Sequence, residues 1–474
     1  YEGRSRMPRD LPIGNQSGAA DAASLLVNYR CSGSFGEIYY PQVGLENQTG
    51  GTEWKLGVFV EGRGFAWLDD ASLASSRSMN YVPNQMVARM KVTVASLQVE
   101  VSWEAFVDSA LTVLVKDICV KDISPVVDSQ LNIRLFLFTT PCLGAREGGN
   151  TASYDPEFKG MLVYNRDRFM LLSGRSGGSE DDEMGVSGYT VKWRFSCPWQ
   201  EKSDMVRPMC ESGILDNDGT RHGSVQTAVA LDCKYVEESK EFRCSLVMFF
   251  ARSEAELHQV VDKSLLYGGL RGMRARTELH WDLWLNQKLA IHDASGLGRE
   301  ISHVYNRSLM VLRTHSDNGG AFLAAIDWDV HREQKETYSY CWMRDAGYAC
   351  EVMSRNQCPE MSEALFGFAK NVLAKQQRNG NARPYFLQKY CSDGTPGSSW
   401  MSRIDGPSGK ARLPIQQDES ASLLIAVARH HRLHPKYDLA RTSMIIDVVF
   451  PVADWICDWR LPSGLPRPSH DLWE

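Results

Sequence analysis

A pair of carboxylates, an arginine and several indoles at loop positions define the chemistry open to this sequence. It closes on Asp471-Leu472-Trp473-Glu474, downstream of Trp342-Met343-Arg344-Asp345. A carboxyl group beside an indole is partly shielded from water, which disfavours its charged form. Glu474 next to Trp473 can therefore hold a proton at neutral pH and deliver it to a leaving oxygen. Adjacent Arg344 and Asp345 supply a forked donor and an acceptor for neighbouring sugar hydroxyls. The same two residues also fit a plain helix start, with Asp345 near the positive end and Arg344 as its ion partner.

Two more segments carry the same double reading. Gly397-Ser398-Ser399-Trp400 lies in a long loop between helical stretches, where Trp400 either floors a sugar site or anchors the loop. Leu413-Pro414-Ile415-Gln416-Gln417-Asp418-Glu419 brings Asp418 to the head of an apolar run, as a ligand or as a helix start. His470 has no second His or Cys at metal spacing, so no metal is assigned. No G-x-S-x-G, G-x-x-x-x-G-K-[ST] or H-E-x-x-H motif occurs, which removes the usual hydrolase elbow, phosphate loop and zinc helix.

These segments need a frame, and hydrophobic period supplies it. Leu97, Val99, Val101, Trp103, Ala105 and Val107 alternate with mostly polar neighbours, as do Leu131 to Leu137 and Phe242 to Phe250. Period two means strands with one face inward. Many such runs without intervening helices predict antiparallel sheets stacked as a sandwich. The Gly- and Ser-rich stretch 173–188 reads as a solvated loop. At Ser253 and Glu256 a capping box opens a helical connector. Beyond it, Ile301 to Leu312, Leu365 to Leu373, Leu423 to Ala428 and Ala440 to Ile456 fit helix faces, the last bent at Pro451. The expected division is 1–252 for the β domain, 253–297 for the linker and 298–474 for the helical domain.

At 474 residues two domains are expected, and 43% hydrophobic with 23% charged residues is an ordinary globular balance. A net charge of −6 gives no electrostatic reason for a nucleic-acid partner. No apolar run reaches about 18 residues, so no membrane partner is expected. Scattered cysteines, without a C-x-x-C pair, predict buried free thiols in a reducing cytoplasm. The sequence opens on Tyr1, so secretion stays open. Oligomeric state is not legible.

Taken together, Ser34-Phe35-Gly36-Glu37-Ile38-Tyr39-Tyr40-Pro41, Tyr340-Cys341-Trp342-Met343-Arg344-Asp345, Leu413 to Glu419 and Asp471 to Glu474 match a known pattern in order and rough spacing. The chain resembles the prokaryotic glucoamylase-like enzymes of glycoside hydrolase family 15, a group of glucoamylases, glucodextranases and some trehalases. The resemblance implies an N-terminal antiparallel β-supersandwich, a helical linker and an incomplete (α/α)6 barrel. It implies that Arg344 and Asp345, with Trp342 beside them, hold the terminal glucose. It implies Glu474 as general acid, Trp473 as a pocket wall, and Trp400 and Asp418 as further substrate-site residues. The family's general base is a glutamate from the second half of the barrel, which this sequence lacks. The chain is therefore expected to be a fragment without hydrolytic activity, with apolar helix faces turned to solvent. The implied partner is an α-linked glucose oligosaccharide or polysaccharide, and the implied reaction, inverting hydrolysis, needs no organic cofactor. A glycoside phosphorylase and a non-catalytic carbohydrate-binding or regulatory protein are the alternatives.

Overall fold

The structure is a computed structural model that describes residues 10–15, 23–126, 128–177, 183–195, 204–287, 298–326, 338–378, 384–398, 407, 409, 414–435 and 439–467. The chain divides into two compact units. The first comprises Tyr1–Asn15, Leu25–Pro41 and Glu46–Asp282; the second comprises Gln16–Ser24, Gln42–Leu45 and Leu283–Glu474.

The first unit is antiparallel β structure throughout its described strand pairs. Strands β1 (Asp10–Asn15), β2 (Leu25–Arg30) and β3 (Phe35–Tyr39) form a small sheet. Next in the chain come β4 (Trp54–Val60), β5 (Gly64–Trp67), β6 (Arg77–Tyr81), β7 (Ala88–Val94), β8 (Val99–Val107) and β9 (Val113–Asp122). They are followed by β10 (Ile133–Thr139), β11 (Asn150–Asp155), β12 (Gly160–Asn165), β13 (Arg168–Ser176) and β14 (Gly188–Trp193). The last are β15 (Thr220–Gly223), β16 (Val225–Val236) and β17 (Glu241–Ala251). One layer runs β5–β4–β10–β16–β14, and a longer one runs β15–β11–β12–β13–β17–β9–β8–β7–β6. The 12-residue β16 belongs to both, pairing β10 along Thr227–Cys233 and then β17 along Lys234–Val236. Leu231 of the first layer fills the space over Gly174 of the second, where an added Cβ would meet its Cδ2 at 2.5 Å.

The expected alternation is clean on β8, where Val99, Val101 and Trp103 are buried and their neighbours are half-exposed. On β10 and β17 it gives way to burial of both faces, because helices cover the outer sides. The short helix α1 (Val206–Glu211), which the sequence reading did not anticipate, lays Met205 and Met209 against Phe136 and Phe138. Helix α2 (Glu254–Leu266) lays Leu257 and Val260 against Val247 and Phe249, and Met273 of α3 (Gly269–Asn286) joins the same cluster. The capping box at the head of α2 forms with one change. Ser253 Oγ accepts from the Glu256 N–H at 3.1 Å, while Glu256 reaches back to the N–H of Arg252 at 2.9 Å. The solvated loop expected over 173–188 begins later, since Ser173 to Ser176 continue β13 in register with Val247 to Cys244. Ladder pairing there overrides the weak strand preference of Ser and Gly. Residues 178–182 of that stretch lie outside the described residues.

The second unit is helical. Its described helices are α4 (Arg299–Thr314), α5 (Met343–Arg355), α6 (Pro359–Arg378), α7 (Gln417–Leu433), α8 (Leu439–Met444) and α9 (Phe450–Asp458). Between α8 and α9 the chain makes a π turn over Ile445–Val449. Pro451 has no N–H for the carbonyl of Asp447, so the ladder widens into the π turn there and then resumes. Helices α5 and α7 approach closely because Gly347 faces Ser422 and Ala426; a Cβ at 347 would sit 3.2 Å from the Ser422 carbonyl oxygen. Tyr348, Ile425 and Phe450 are 65%, 50% and 60% exposed, so apolar side chains do face solvent on these helices.

The segment Gln42–Leu45 is part of this helical unit. Asp317, 4% exposed, accepts from the Val43 N–H at 2.9 Å and from the Gly319 N–H at 2.8 Å. Gly44 lies at φ +79°, where an added Cβ would stand 2.2 Å from Leu323 Cδ1. No described helix is long and apolar enough to cross a membrane. Cysteines in the described residues are free thiols, with Cys31 and Cys457 exposed rather than buried.

Candidate active site

Two helix N-termini meet at the site. Helix α5 begins at Met343, directly after Trp342 at its N-cap, and no side chain of its own caps it. The cap comes from α7: Glu419 Oε2 accepts from the Arg344 backbone N–H at 2.7 Å. A carboxylate at a helix N-terminus meets both unpaired N–H groups and the positive end of the helix dipole. The loop after α6 ties both starts down. Cys341 and Tyr390 exchange backbone hydrogen bonds of 2.8 and 2.9 Å, and the Phe386 N–H donates to Ser420 Oγ at 3.0 Å. The Tyr390 hydroxyl receives the Leu387 N–H at 2.6 Å and Gln376 Nε2 at 2.9 Å.

The Arg344 guanidinium lies among three carboxylates. Its Nη1 is 2.7 Å from Asp418 Oδ2, 3.2 Å from Glu419 Oε1 and 3.3 Å from Gln416 Oε1, and its Nη2 is 3.7 Å from Asp345 Oδ2. Burial works against its charge, but the Asp418 hydrogen bond and the fields of Glu419, Asp418 and Asp345 outweigh it and hold its pKa above the usual value. Asp345 and Asp418 are each half-exposed and present acceptor oxygens, with the guanidinium between them. An alternation of acceptor, fork donor and acceptor suits vicinal hydroxyls of a sugar. The cavity that Arg344 lines between α5 and α7 is small, about 90 Å³.

Glu419 is the member of this cluster that the sequence reading did not name as a site residue. Its side chain is fully buried, and burial pushes its carboxyl up to about 8. The Arg344 N–H and guanidinium pull the other way, while Asp418 and Asp345 add to the rise. From the ordinary value of 4.5 up to about 8, the unfolded chain has released a proton that the folded chain keeps. Stability therefore falls as pH rises through that window. Glu419→Gln is expected to melt close to the unsubstituted protein near about pH 5 and to gain on it progressively toward about pH 8.5. Thermal melts of both proteins across that range test this; a difference that stays flat with pH contradicts it.

Trp342 is 5% exposed. It stacks on Tyr338 at 5.8 Å, meets Tyr340 edge-on at 6.1 Å, and has Lys389 Nζ 5.4 Å from its ring centre. It thus forms a packed wall next to Arg344 and offers little open ring face. The structure brings Trp342, Arg344, Asp345 and Asp418 together. Trp400, Trp473 and Glu474 lie outside the described residues. The chain leading to Trp473 and Glu474 is held at Arg467, whose carbonyl accepts from Gln417 Nε2 at 2.9 Å at the head of α7. Among the described residues no cluster of His, Cys, Asp and Glu has the makings of a metal site.

Compared by sequence, the chain matches no protein-family model and no curated protein. Among solved structures it is similar to a bacterial glucoamylase complexed with acarbose, with a TM-score of 0.69 at 15% identity. That match covers 98% of this chain and 59% of the glucoamylase, so the chain spans a little over half of its length. A glycosyl hydrolase of family GH92 (ccman5) matches over 94% of this chain and 54% of its own at 10% identity, but at a TM-score of 0.42 it carries no weight. The glucoamylase likeness shows the fold: an antiparallel β region followed by helices, matching that protein's N-terminal β domain and part of its helical portion.

Proposed function

We propose that this chain carries the β domain and the sugar-holding part of the barrel of an inverting, exo-acting α-glucoside hydrolase. The finer assignment is to the prokaryotic glucoamylase-like group of glycoside hydrolase family 15. The observation that carries the reading is the cluster of Arg344, Asp345, Asp418 and Glu419 at the facing starts of α5 and α7, within a glucoamylase-like fold. Arg344 and Asp345 grip adjacent hydroxyls of a terminal glucose, and Asp418 aims the guanidinium. A ring fixed at its non-reducing end leaves one bond in reach, which makes the action exo. The domain limits proposed are 1–252, 253–297 and 298–474.

Glu474 is the proposed acid, protonating the glycosidic oxygen beside the indole of Trp473, with Trp400 as a further wall. Support comes from the anchor at Arg467. Six residues separate it from Glu474, and the seven Cα steps reach at most about 25 Å in extended chain. The water-activating carboxylate of an inverting pair stands about 6.5–9.5 Å from the acid on the opposite ring face. No residue of this chain is proposed as that base. The substrates proposed are malto-oligosaccharides, dextran-like glucans or trehalose, because the cluster reads a terminal glucose and not its linkage.

The test is glucose release from maltose, isomaltose and trehalose by the protein encoded by the whole gene, followed by NMR of the first product. Hydrolysis with inversion releases the attacked ring as β-glucose before mutarotation, so trehalose yields one β- and one α-glucose and an α-glucoside with a non-sugar leaving group yields β-glucose alone. Initial α-glucose from that glucoside, two α-glucoses from trehalose, a rate that requires phosphate, or sugar binding without turnover each overturns the reading.

A further inference from the structure

Two buried thiols face each other where the layers of the β unit part. Cys233 lies on β16 and Cys244 on β17, 8% and 0% exposed, and the Cys233 thiol donates to Cys244 Sγ at 3.5 Å. Strand register explains the meeting. Strands β16 and β17 form a hairpin that pairs Val236 with Glu241, Tyr235 with Phe242 and Lys234 with Arg243. The Lys240 N–H closes its turn, donating to the Val236 carbonyl at 2.8 Å. One step further in the same register, Cys233 stands opposite Cys244. Side chains alternate along a strand, so both sulfurs share a face with Tyr235 and Phe242, whose rings meet edge-on at 5.1 Å.

That step is also the fork of the sheet. Cys233 pairs with Ile133 of β10, while Cys244 pairs with Ser176 of β13 and Ile118 of β9. The described ladder between β16 and β17 ends at Lys234 and Arg243, so the two backbones have parted by a single residue at the cysteines. A disulfide needs Cα atoms within about 7 Å and sulfurs about 2.05 Å apart, so side-chain rotation has about 1.5 Å to close. A third thiol is near in sequence pairing but not in orientation. Cys119 of β9 stands directly opposite Arg243, which puts it on the other face of the sheet from the pair.

We propose that Cys233 and Cys244 are a disulfide site, joined by thiol–disulfide exchange when the chain is made in an oxidising glutathione pool, and that the bond clamps β16 to β17 at the fork. One cysteine thiolate attacks a sulfur of glutathione disulfide and expels a glutathione thiolate, which takes up the proton the cysteine released. The second cysteine thiolate attacks the mixed disulfide and expels the other glutathione in the same way. Two cysteine thiols are thereby oxidised, and one glutathione disulfide is reduced to two thiols. Burial pushes the Cys233 thiol well above its ordinary value, which leaves little thiolate in the folded sheet. The exchange therefore belongs to the folding hairpin, whose strands adjoin in sequence and meet without a distant partner. The clamp concerns the β unit alone and stands whether or not the protein hydrolyses glucosides.

Synthesis of the full chain in glutathione buffers of rising oxidised fraction, followed by acid quench, alkylation and peptide mapping by mass spectrometry, tests it. A peptide pair joined through Cys233 and Cys244, with Cys119 alkylated, is expected to accumulate with the oxidised fraction. Closing this short loop is expected to raise the melting temperature of the oxidised protein about 5–10 °C above that of the same protein reduced. Cys233→Ala and Cys244→Ala are each expected to abolish that difference, with each variant compared with itself in the two buffers. Should either variant fail to fold, the peptide map of the unsubstituted chain still decides. Both cysteines alkylated at the highest oxidised fraction overturn the proposal, as does either one bonded to Cys119, to glutathione or to another thiol instead. An oxidised protein that melts no higher than the reduced one overturns the clamp.

Discussion

Glu474→Gln, made in the protein encoded by the whole gene, is expected to lower kcat for α-glucoside hydrolysis by about 10²–10⁴-fold, the range of general acid catalysis. Glucoside affinity is expected to stay within about threefold, since the amide keeps the shape and loses only the proton to be donated. A substrate with a good leaving group needs little protonation, so an activated aryl glucoside is expected to lose far less than maltose. This contrast separates a lost acid from a damaged pocket, which slows both substrates alike. Equal losses on the two substrates, or undiminished turnover of maltose, remove Glu474 from the role.

Arg344→Ala is expected to lower kcat/KM by about 10²–10³-fold, the scale of two lost charge-assisted hydrogen bonds at about 1.5–3 kcal/mol each. It also leaves Asp345, Asp418 and the buried Glu419 together without their cation. Asp345 and Asp418 are half-exposed and Glu419 keeps its proton near neutral pH, so the expected loss of stability is that of part-exposed pairs, about 1 kcal/mol. Arg344→Lys keeps the charge but not the fork, so most of the folding loss is expected to recover while kcat/KM stays at least about 10-fold down. Melting curves alongside kinetics separate the two effects. Turnover near normal in Arg344→Ala contradicts the sugar-holding role.

How far these features were legible depends on whether the deciding contacts are local. The face of α6 follows from apolar residues three and four apart, whereas the face read on α4 is largely outward, with Ile301 and Val304 51% and 62% exposed, and the buried stripe of α7 runs through Leu423 and Ala426 rather than Leu424 and Ala428. Strand β8 was legible because one of its faces remains wet. Strands β10 and β17 were misread as half-polar because α1, α2 and α3, remote in sequence, cover their outer sides. Helix α1 has six residues, too few for a period to show. In the site, Arg344, Asp345 and Asp418 stood out by type and by their place at helix starts. Glu419 did not, because a second acid at the head of a helix looks like an ordinary solvated end. A signal was available: Glu419 is in helical register with Leu423, Ala426 and His430, the buried stripe of α7. An acid on an apolar stripe calls for a buried partner, and the Arg344 N–H is that partner.

Gln42–Leu45 lies some 240 residues ahead of the first residue that follows Asp282 in the helical unit, yet its Val43 N–H serves the sealed carboxylate of Asp317. The helical unit is thus not one continuous stretch of polypeptide. Clipping any single peptide bond cannot release it whole, because its early piece would depart with the strands. A ribosome must also have delivered both ends of that 274-residue separation before the knot around Asp317 can close. Excising either unit as one continuous segment would strip a native donor from a buried acid.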